Sequence, residues 1–336
     1  MDAARAEAVL AAAEVAGVEA RGPDPKAAVD RLEAGYAETL EALAWFVEDG
    51  RTDEALRVAI ALYRLWITKQ RFDEGETWFD RALASPGGDD RLRGQATIDA
   101  GFMPFWMGRD ERAAALFEGG LEIGRRLEDG PLISQALGGL SRIALRTDVA
   151  EGRRLAREAL AVSDAAGDVH GRSNALHLLG VGAQIAGDLP EARDWMTQRL
   201  ALVRTEGNEF LVASEAANLA MVERQLGDLD TAERLTREAL GISQAIGDRF
   251  ITPFAFSGLA SIAVERGDVE RAATLVGAAE TLMEAQSMAW PPDERPHYDR
   301  LLEVLPAAMG SEAFEAARAA GAAMPTEDTI ELALGG

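Results

Sequence analysis

The sequence predicts an all-α solenoid of about six to seven antiparallel helix pairs, and two periodic markers carry this prediction. An aspartate followed by an aliphatic residue recurs every 40 residues, at Asp148-Val149, Asp188-Leu189, Asp228-Leu229 and Asp268-Val269. A glycine followed by a capping residue keeps the same period, at Gly167-Asp168, Gly207-Asn208 and Gly247-Asp248. Such self-similarity is typical of stacked repeats, and no segment shows the sustained apolar-polar alternation of a strand.

Each 40-residue unit carries the signals for two helices. In the unit Arg172–Phe210, the first half (SNALHLLGVGAQIAG) has apolar residues at helical spacing. Gly187 ends that helix, because glycine enters the left-handed conformation at little cost. Asp188 caps the next helix, and Pro190 fits its first turn, where a missing N–H costs nothing. The inward stripe of the second helix consists of Ala192, Trp195, Met196 and Leu200.

The pattern extends toward the beginning of the chain. An earlier unit spans about 91–130, one residue out of phase, and another spans about 53–86. Residues 31–49 (RLEAGYAETLEALAWFVED) are predicted to form one amphipathic helix that leads into the array.

Two proline-containing segments, 22–25 (GPDP) and 290–292 (WPP), suggest boundaries. Two or three short helices are expected after the second boundary, because the end of a stack would otherwise expose its apolar face. The predicted division is an N-terminal helix at 1–22, a repeat array at 31–289 and C-terminal capping helices at 290–336.

Composition limits what the chain binds and where it works. Its net charge is −23, from 57 acidic and 34 basic residues, and such a field repels phosphate backbones, so direct nucleic-acid binding is not expected. The absence of cysteine fits a reducing cytoplasm. The start, MDAARAEAVLAAAE, has acids where a signal peptide needs an apolar core, and uncharged stretches reach only about 15 residues, short of a membrane span. We therefore expect a cytoplasmic protein without a membrane segment.

The sequence contains no recognisable catalytic or metal-binding pattern. The three histidines form no H-E-x-x-H, no G-x-S-x-G elbow occurs, and a chain without cysteine has no thiol nucleophile. Most acids lie three or four residues from an arginine, as in Glu151-Arg154 and Glu233-Arg237, which is typical of solvated helix faces. We expect neither catalysis nor a cofactor or metal.

The repeat unit resembles a known helical repeat. Glycine at the end of the first helix, a small residue five positions on and another seven later form the tetratricopeptide (TPR) pattern, here stretched from about 34 residues to 40. The segment Leu56–Ala84, the tandem GD-x-x-x-A-x-x-L units, and Ala272–Leu302 followed by Gly310–Met324 resemble the C-terminal TPR region of bacterial LuxR-type and antibiotic-regulator-type signal-transduction ATPases (STAND transcriptional regulators). The resemblance covers about 31–334 and implies a right-handed TPR-like solenoid.

In that family the TPR array is the sensor half of a larger regulator. It receives an inducer or a partner protein and releases autoinhibition of an ATPase module, and a DNA-binding module lies at one end. This chain has no G-x-x-x-x-G-K-[ST] phosphate loop and no recognisable helix-turn-helix. It resembles the sensor part alone, so ATPase and DNA-binding activities are not carried over. A fragment of a larger regulator and a stand-alone relative both remain open, as does the oligomeric state.

In TPR arrays the first helix of each pair lines the concave groove. Carried onto this sequence, the partner-facing positions give these candidate ligand- or partner-binding residues: Arg57, Arg64, Phe102, Phe105, Arg142, Asn174, His177, Gln184, Met221, Arg224 and Phe254. The four arginines would place positive charge in the groove of an acidic protein, which suits an acidic peptide, a carboxylate or a phosphorylated small molecule.

Each group of candidates also has a structural interpretation. The arginines would then pair with acids on adjacent helices, the aromatic residues would belong to the core, and His177 would be a polar lining residue without a dedicated role. The function expected is a non-catalytic sensor that binds a small inducer or a partner protein in the groove. The alternative is a stand-alone TPR adaptor that joins two proteins.

Overall fold

The computed structural model describes residues 1–22, 25–248, 250–286, 288, 290 and 295–335 of the chain. The described residues form 18 α-helices and no strand, which confirms the all-α class. Among these residues, no helix is both long and apolar enough to cross a membrane. The helices separate into two compact units, Met1–Asp188 (unit 1) and Leu189–Gly336 (unit 2).

The helices of unit 1 are α1 (Ala3–Glu19), α2 (Pro25–Ala34), α3 (Tyr36–Glu48), α4 (Thr52–Thr68), α5 (Phe72–Ala84), α6 (Asp90–Trp106), α7 (Asp110–Leu127), α8 (Gly130–Ala144), α9 (Val149–Ala166) and α10 (Val169–Ile185). Those of unit 2 are α11 (Leu189–Glu206), α12 (Glu209–Gln225), α13 (Leu229–Ile246), α14 (Thr252–Glu265), α15 (Val269–Ala285), α16 (Arg295–Met309), α17 (Ser311–Ala323) and α18 (Thr326–Leu334).

Helix pairs repeat within each unit. In unit 1 the first helices α4, α6, α8 and α10 lie side by side, while α5, α7 and α9 pack against their own first helix and against the next one. In unit 2 the pairs α12–α13 and α14–α15 follow the same arrangement, with α12 beside α14. The first helices therefore form a continuous layer within each unit.

The predicted caps hold these pairs in place. The side chains of Asp148, Asp228 and Asp268 each accept a hydrogen bond from the backbone N–H three residues on, at 3.0, 3.0 and 3.4 Å. Gly187 and Gly207, which were predicted to end helices, have φ angles of 78° and 70°, in the left-handed region that favours glycine. The aspartate-glycine period thus acts through local backbone chemistry.

One predicted helix is wrong in its extent. The apolar pattern of 31–49 predicts a single helix, but α2 ends at Ala34 and α3 begins at Tyr36. Both the backbone N–H and the hydroxyl of Thr39 donate to the carbonyl of Gly35 at 3.0 Å, so a new helix starts there. Helical periodicity continues across a glycine in the sequence, and only packing decides that the chain changes direction at it.

Helix α1 packs as a first helix rather than standing apart from the repeats. It runs parallel to α4, because Glu7 pairs with Arg51 and Glu14 with Arg57 in the same order along both helices. A Cβ on Gly17 would lie 2.7 Å from the Cα of Ala61, so the close approach of α1 to α4 requires glycine. Helix α1 also packs against α3.

Three helices follow the last repeat, as expected. Helix α17 packs along α15, and α18 contacts α15 and α13. The proposed break at 290–292 and the N-terminal boundary at 22–25 fall partly outside the described residues.

Ion pairs join successive repeats. Arg109–Asp73, Arg146–Asp110 and Arg266–Asp230 each connect residues 36 apart, at 3.0, 2.5 and 2.7 Å. The predicted pairs within one helix, Glu151–Arg154 and Glu233–Arg237, are also present. These ion pairs therefore connect neighbouring helix pairs. The sequence had predicted only the ion pairs within a single helix.

Candidate binding surfaces

The first helices of unit 1 are linked by hydrogen bonds between their inner-facing side chains. Gln95 on α6 donates to Gln135 on α8 at 3.0 Å, and Arg142 on α8 donates to the side-chain carbonyl of Asn174 on α10 at 2.5 Å. We call the layer of polar side chains on α4, α6, α8 and α10, which includes Gln95, Gln135, Arg142 and Asn174, the unit-1 inner face. It contains most of the positions that the sequence placed in the groove.

Arg57 is engaged by the protein itself. Its Nε and Nη2 donate to the two carboxylate oxygens of Glu14, each at 2.6 Å. A bidentate pair of this kind satisfies the guanidinium in the geometry that it prefers. For Arg57 the structural interpretation, an ion pair with an adjacent helix, describes the site.

Arg64 lies differently. It is half-buried on α4, its Nε is shielded from water, and it makes no hydrogen bond or ion pair with any residue that the structure describes. Nearby, Arg21 just after α1 donates to Asp99 at 2.6 Å and lies 4.8 Å from the ring centroid of Tyr63. Arg64 is therefore a cation beside an ion pair that is already complete.

These side chains form a charged group around the buried hydroxyl of Tyr63, which we call the Tyr63 cluster: Arg21, Tyr63, Arg64, Asp99 and Arg142. Burial raises the pKa of Tyr63 to about 12, with Asp99 acting in the same direction and the three arginines opposing it. Burial also raises the pKa of the Asp99 carboxyl, against the effect of Arg21. Three guanidinium groups and a single carboxyl group thus interact electrostatically with the hydroxyl of Tyr63.

Phe105 is not a surface residue, which corrects its place among the candidates. Its side chain is 6% exposed in the core of unit 1, and Arg146 covers its ring at 4.1 Å. Phe102 is half-buried, and its edge contacts the rings of Tyr63 and Phe117, with centroids 6.0 and 5.0 Å apart. Phe105 is therefore part of the core beneath Arg146, whereas Phe102 keeps part of its ring accessible.

The remaining unit-1 candidates lie on α10. His177 and Gln184 are half-buried, and His177 has an interaction partner among the described residues. Within the described part of the chain, no group of three or more metal-binding side chains comes together. His177 is therefore a half-buried residue of α10 that interacts with another described residue.

The unit-2 candidates meet around a cavity. Met221 and Arg224 on α12 and Phe254 on α14 line a small cavity of about 30 Å³ that opens to solvent, together with Ser257, Ser261 and His297. A second cavity of about 70 Å³ shares Arg224, Ser261 and His297 with the first and adds Arg300. We call the two cavities together the unit-2 pocket. The sequence predicted the lining residues on α12 and α14. It did not predict His297, which lies on the capping helix α16.

Hydrogen bonds hold His297 in position at the edge of the pocket. Nη2 of Arg224 lies 3.1 Å from Nδ1 of His297, and Nε2 of Gln225 lies 3.2 Å from the other ring nitrogen. Since arginine can only donate, Nδ1 accepts this bond. Nη1 of Arg224 donates to Glu265 at 3.1 Å. Arg224 therefore binds the two sides of the pocket together rather than projecting freely into it.

A row of aromatic rings borders the pocket at Phe254. Phe250, which is 51% exposed, meets Phe254 edge-to-face at 5.5 Å, and Phe254 meets Trp290 at 5.7 Å. Trp290 stacks on Tyr298 at 4.5 Å. Burial raises the pKa of Tyr298, whose hydroxyl donates to Glu280. An apolar, aromatic edge thus adjoins the polar interior of the pocket.

Comparisons with known proteins place the fold. No protein-family model and no curated protein matches the chain in sequence. Its structure is similar to that of a STAND protein with a tetratricopeptide repeat sensor from Pyrococcus horikoshii, with a TM-score of 0.60 and 14% identity, over 88% of this chain and 45% of that chain. The chain thus spans less than half the length of that protein.

Two further structures cover most of both chains. A Rap protein complexed with Competence and Sporulation Factor matches with a TM-score of 0.58 and 14% identity, over 97% of this chain and 98% of that chain. NprR in complex with its cognate peptide NprX matches with a TM-score of 0.51 and 13% identity, over 85% and 86% of the two chains. The chain has the fold of an all-α, TPR-like solenoid.

Proposed function

We propose that this chain is a non-catalytic sensor and interaction module of the type found in bacterial STAND and LuxR-type transcriptional regulators. It binds a peptide, a partner protein or a small inducer on the inner side of its first helices and works in the cytoplasm. Residues 31–289 act as the sensing array and 290–336 as its cap. The observation that carries the proposal is the unit-2 pocket, where candidates from two successive first helices converge on His297.

Three features support this proposal. The pocket combines an aromatic edge with polar groups, as ligand sites commonly do. His297, which lines the pocket, belongs to the capping helix α16, so a ligand in the pocket contacts both a repeat and the cap. Two similar folds were solved as complexes, a Rap protein with Competence and Sporulation Factor and NprR with its cognate peptide. Their ligands suggest that a peptide is the first class to test.

A thermal-shift screen tests the proposal. The purified chain is screened against short peptides and a metabolite library, because a ligand at about 100 times its Kd stabilises the native state by about 2.7 kcal/mol. Each hit is then measured on Ala217→Trp, which fills the pocket from α12. The matched control is Ala201→Trp, at an exposed position on α11.

The expected result is a saturable rise in Tm that Ala217→Trp abolishes and Ala201→Trp keeps. Equal shifts in both variants would place the ligand elsewhere and overturn the assignment of the pocket. If no peptide or metabolite shifts the wild-type chain, the stand-alone adaptor becomes the better description. Binding to large protein partners, measured by calorimetry, then replaces the screen.

A further inference from the structure

The Tyr63 cluster in unit 1 contains a cation that no described residue holds by a hydrogen bond or an ion pair. The chain has 57 acidic and 34 basic residues, so an arginine rarely lacks a carboxylate to pair with. Arg64 nevertheless makes no hydrogen bond or ion pair within the described part of the chain, although its Nε is shielded from water. The two Nη groups of Arg64 are not shielded, so a solute can reach them.

The neighbours of Arg64 cannot supply the missing acceptor. The carboxylate of Asp99 is held by Arg21 at 2.6 Å and by Gln95 at 3.0 Å. Arg142 is bound to the amide oxygen of Asn174 and adds positive charge around Tyr63. The local surplus of guanidinium groups over carboxyl groups attracts an external anion.

We propose that Arg64, flanked by Arg21 and Arg142, binds an anionic oxygen group, either a carboxylate or a phosphate, on the unit-1 inner face. The guanidinium group offers parallel N–H donors that match two oxygens of such an anion. The bound group accepts from the two Nη groups of Arg64, for which no described residue provides a hydrogen bond. This inference goes beyond the proposed function, because it names the chemistry of a ligand in unit 1, at a site separate from the unit-2 pocket.

The test uses the full chain and defined anions at constant ionic strength. Inorganic phosphate and glutarate replace chloride stepwise, and a blocked hexaglutamate peptide is compared with its hexaglutamine counterpart. The variants are Arg64→Gln and, as matched control, Arg91→Gln, an exposed arginine on α6 that pairs with Asp129. Thermal unfolding gives Tm, and calorimetry gives affinity.

We expect a saturable rise in Tm of roughly 5 °C in the wild type and in Arg91→Gln, and none in Arg64→Gln. Without anion, Arg64→Gln unfolds at or above the wild-type temperature, because it removes an unsatisfied charge. Arg64→Lys keeps the charge but loses the paired donors, so it binds at least tenfold more weakly than the wild type. A response to phosphate or glutarate identifies a free anion as sufficient, whereas a response to hexaglutamate alone identifies an acidic peptide.

Three outcomes would overturn the inference: no saturable shift with any probe, an equal shift in Arg64→Gln, or a large loss of Tm in Arg64→Gln without anion. The last outcome would make Arg64 a structural residue. Ala217→Trp separates this inference from the proposed function, because it fills the unit-2 pocket and leaves the anion effect in unit 1 intact.

Discussion

The cap of unit 2 depends on two glycines at which helix backbones touch, and replacing one of them is the sharpest test of the packing. A Cβ on Gly321 of α17 would lie 1.9 Å from the carbonyl oxygen of Thr274 on α15, and a Cβ on Gly277 would lie 1.9 Å from the carbonyl oxygen of Arg318. Real Cβ contacts essentially never fall below 3.0 Å. Gly321→Ala therefore forces the two helices apart by about 1.1 Å at the crossing.

The cost of this separation follows from the contacts on either side. Overpacking costs about 1–3 kcal/mol when the structure yields locally, and a gap of about 1 Å forfeits up to half of each van der Waals contact. If α17 detaches instead, burial of Phe314, which is 4% exposed, is lost, at about 1.5–3 kcal/mol. Both routes predict a loss of about 1–3 kcal/mol, or roughly 2–12 °C in the Tm of unit 2.

Gly241→Ala is the matched control. Gly241 lies inside α13, and no other side chain or neighbouring backbone lies within 4 Å of the place that a Cβ would occupy, so alanine removes only backbone freedom from the unfolded chain. It should raise stability by about 0.5–1 kcal/mol. The same Gly-to-Ala change is thus expected to have opposite signs at two helical positions of one unit.

Thermal unfolding followed by circular dichroism measures the loss, and hydrogen exchange with mass spectrometry locates it. Amides of α17 should exchange faster in Gly321→Ala and remain protected in Gly241→Ala. Because α16 packs against α17 and carries His297, ligands of the unit-2 pocket should also bind more weakly in Gly321→Ala. Equal Tm values and equal α17 protection in the two variants would refute the reasoning.

Two further predictions concern buried polar groups. Glu215→Gln removes the carboxylate from the buried Arg199–Glu215 pair, whose side chains are 8% and 0% exposed, and should cost about 3–5 kcal/mol in urea unfolding. Glu151→Gln in an exposed pair should leave the urea midpoint nearly unchanged, and equal losses would contradict the burial argument. Burial raises the pKa of all three tyrosines, to about 12 for Tyr36 and Tyr63. Tyrosines of the unfolded chain ionise at about pH 10, so stability should fall as pH rises from about 10 to about 12, and phenolate absorbance of the native chain at about pH 10 would contradict this.

The repeat could be predicted because its signals are local. A capping aspartate satisfies an N–H only three residues away, and a glycine φ depends on its own residue, as at Asp148 and Gly187. The same local logic failed at Gly35, where the apolar pattern continues but the chain begins a new helix. The sequence left open whether Phe105 lines the groove or belongs to the core, and packing decided it, because Arg146, 41 residues along the chain, covers the ring.

The candidate site was predictable in part. Met221, Arg224 and Phe254 line one cavity because their helices follow the repeat, and repeat position specifies which side of a first helix faces inward. His297 could not be found in this way, since it lies after the last repeat and reaches the pocket only through the packing of α16. The sequence also did not show which groove arginines pair with another side chain, because the arginines look alike in the sequence.

The sequence by itself determined the helix-pair repeat, its period and its caps, because those depend on contacts within a turn or two of the chain. Only the tertiary structure decided what each inner arginine does. Arg57 forms an ion pair with Glu14, 43 residues away, and Arg224 is hydrogen-bonded to His297, 73 residues away. Arg64 has no hydrogen-bond or ion-pair partner among the described residues. Pairing over such separations depends on how helices stack and on which end covers which face, and a residue's position within its own repeat carries no information about either.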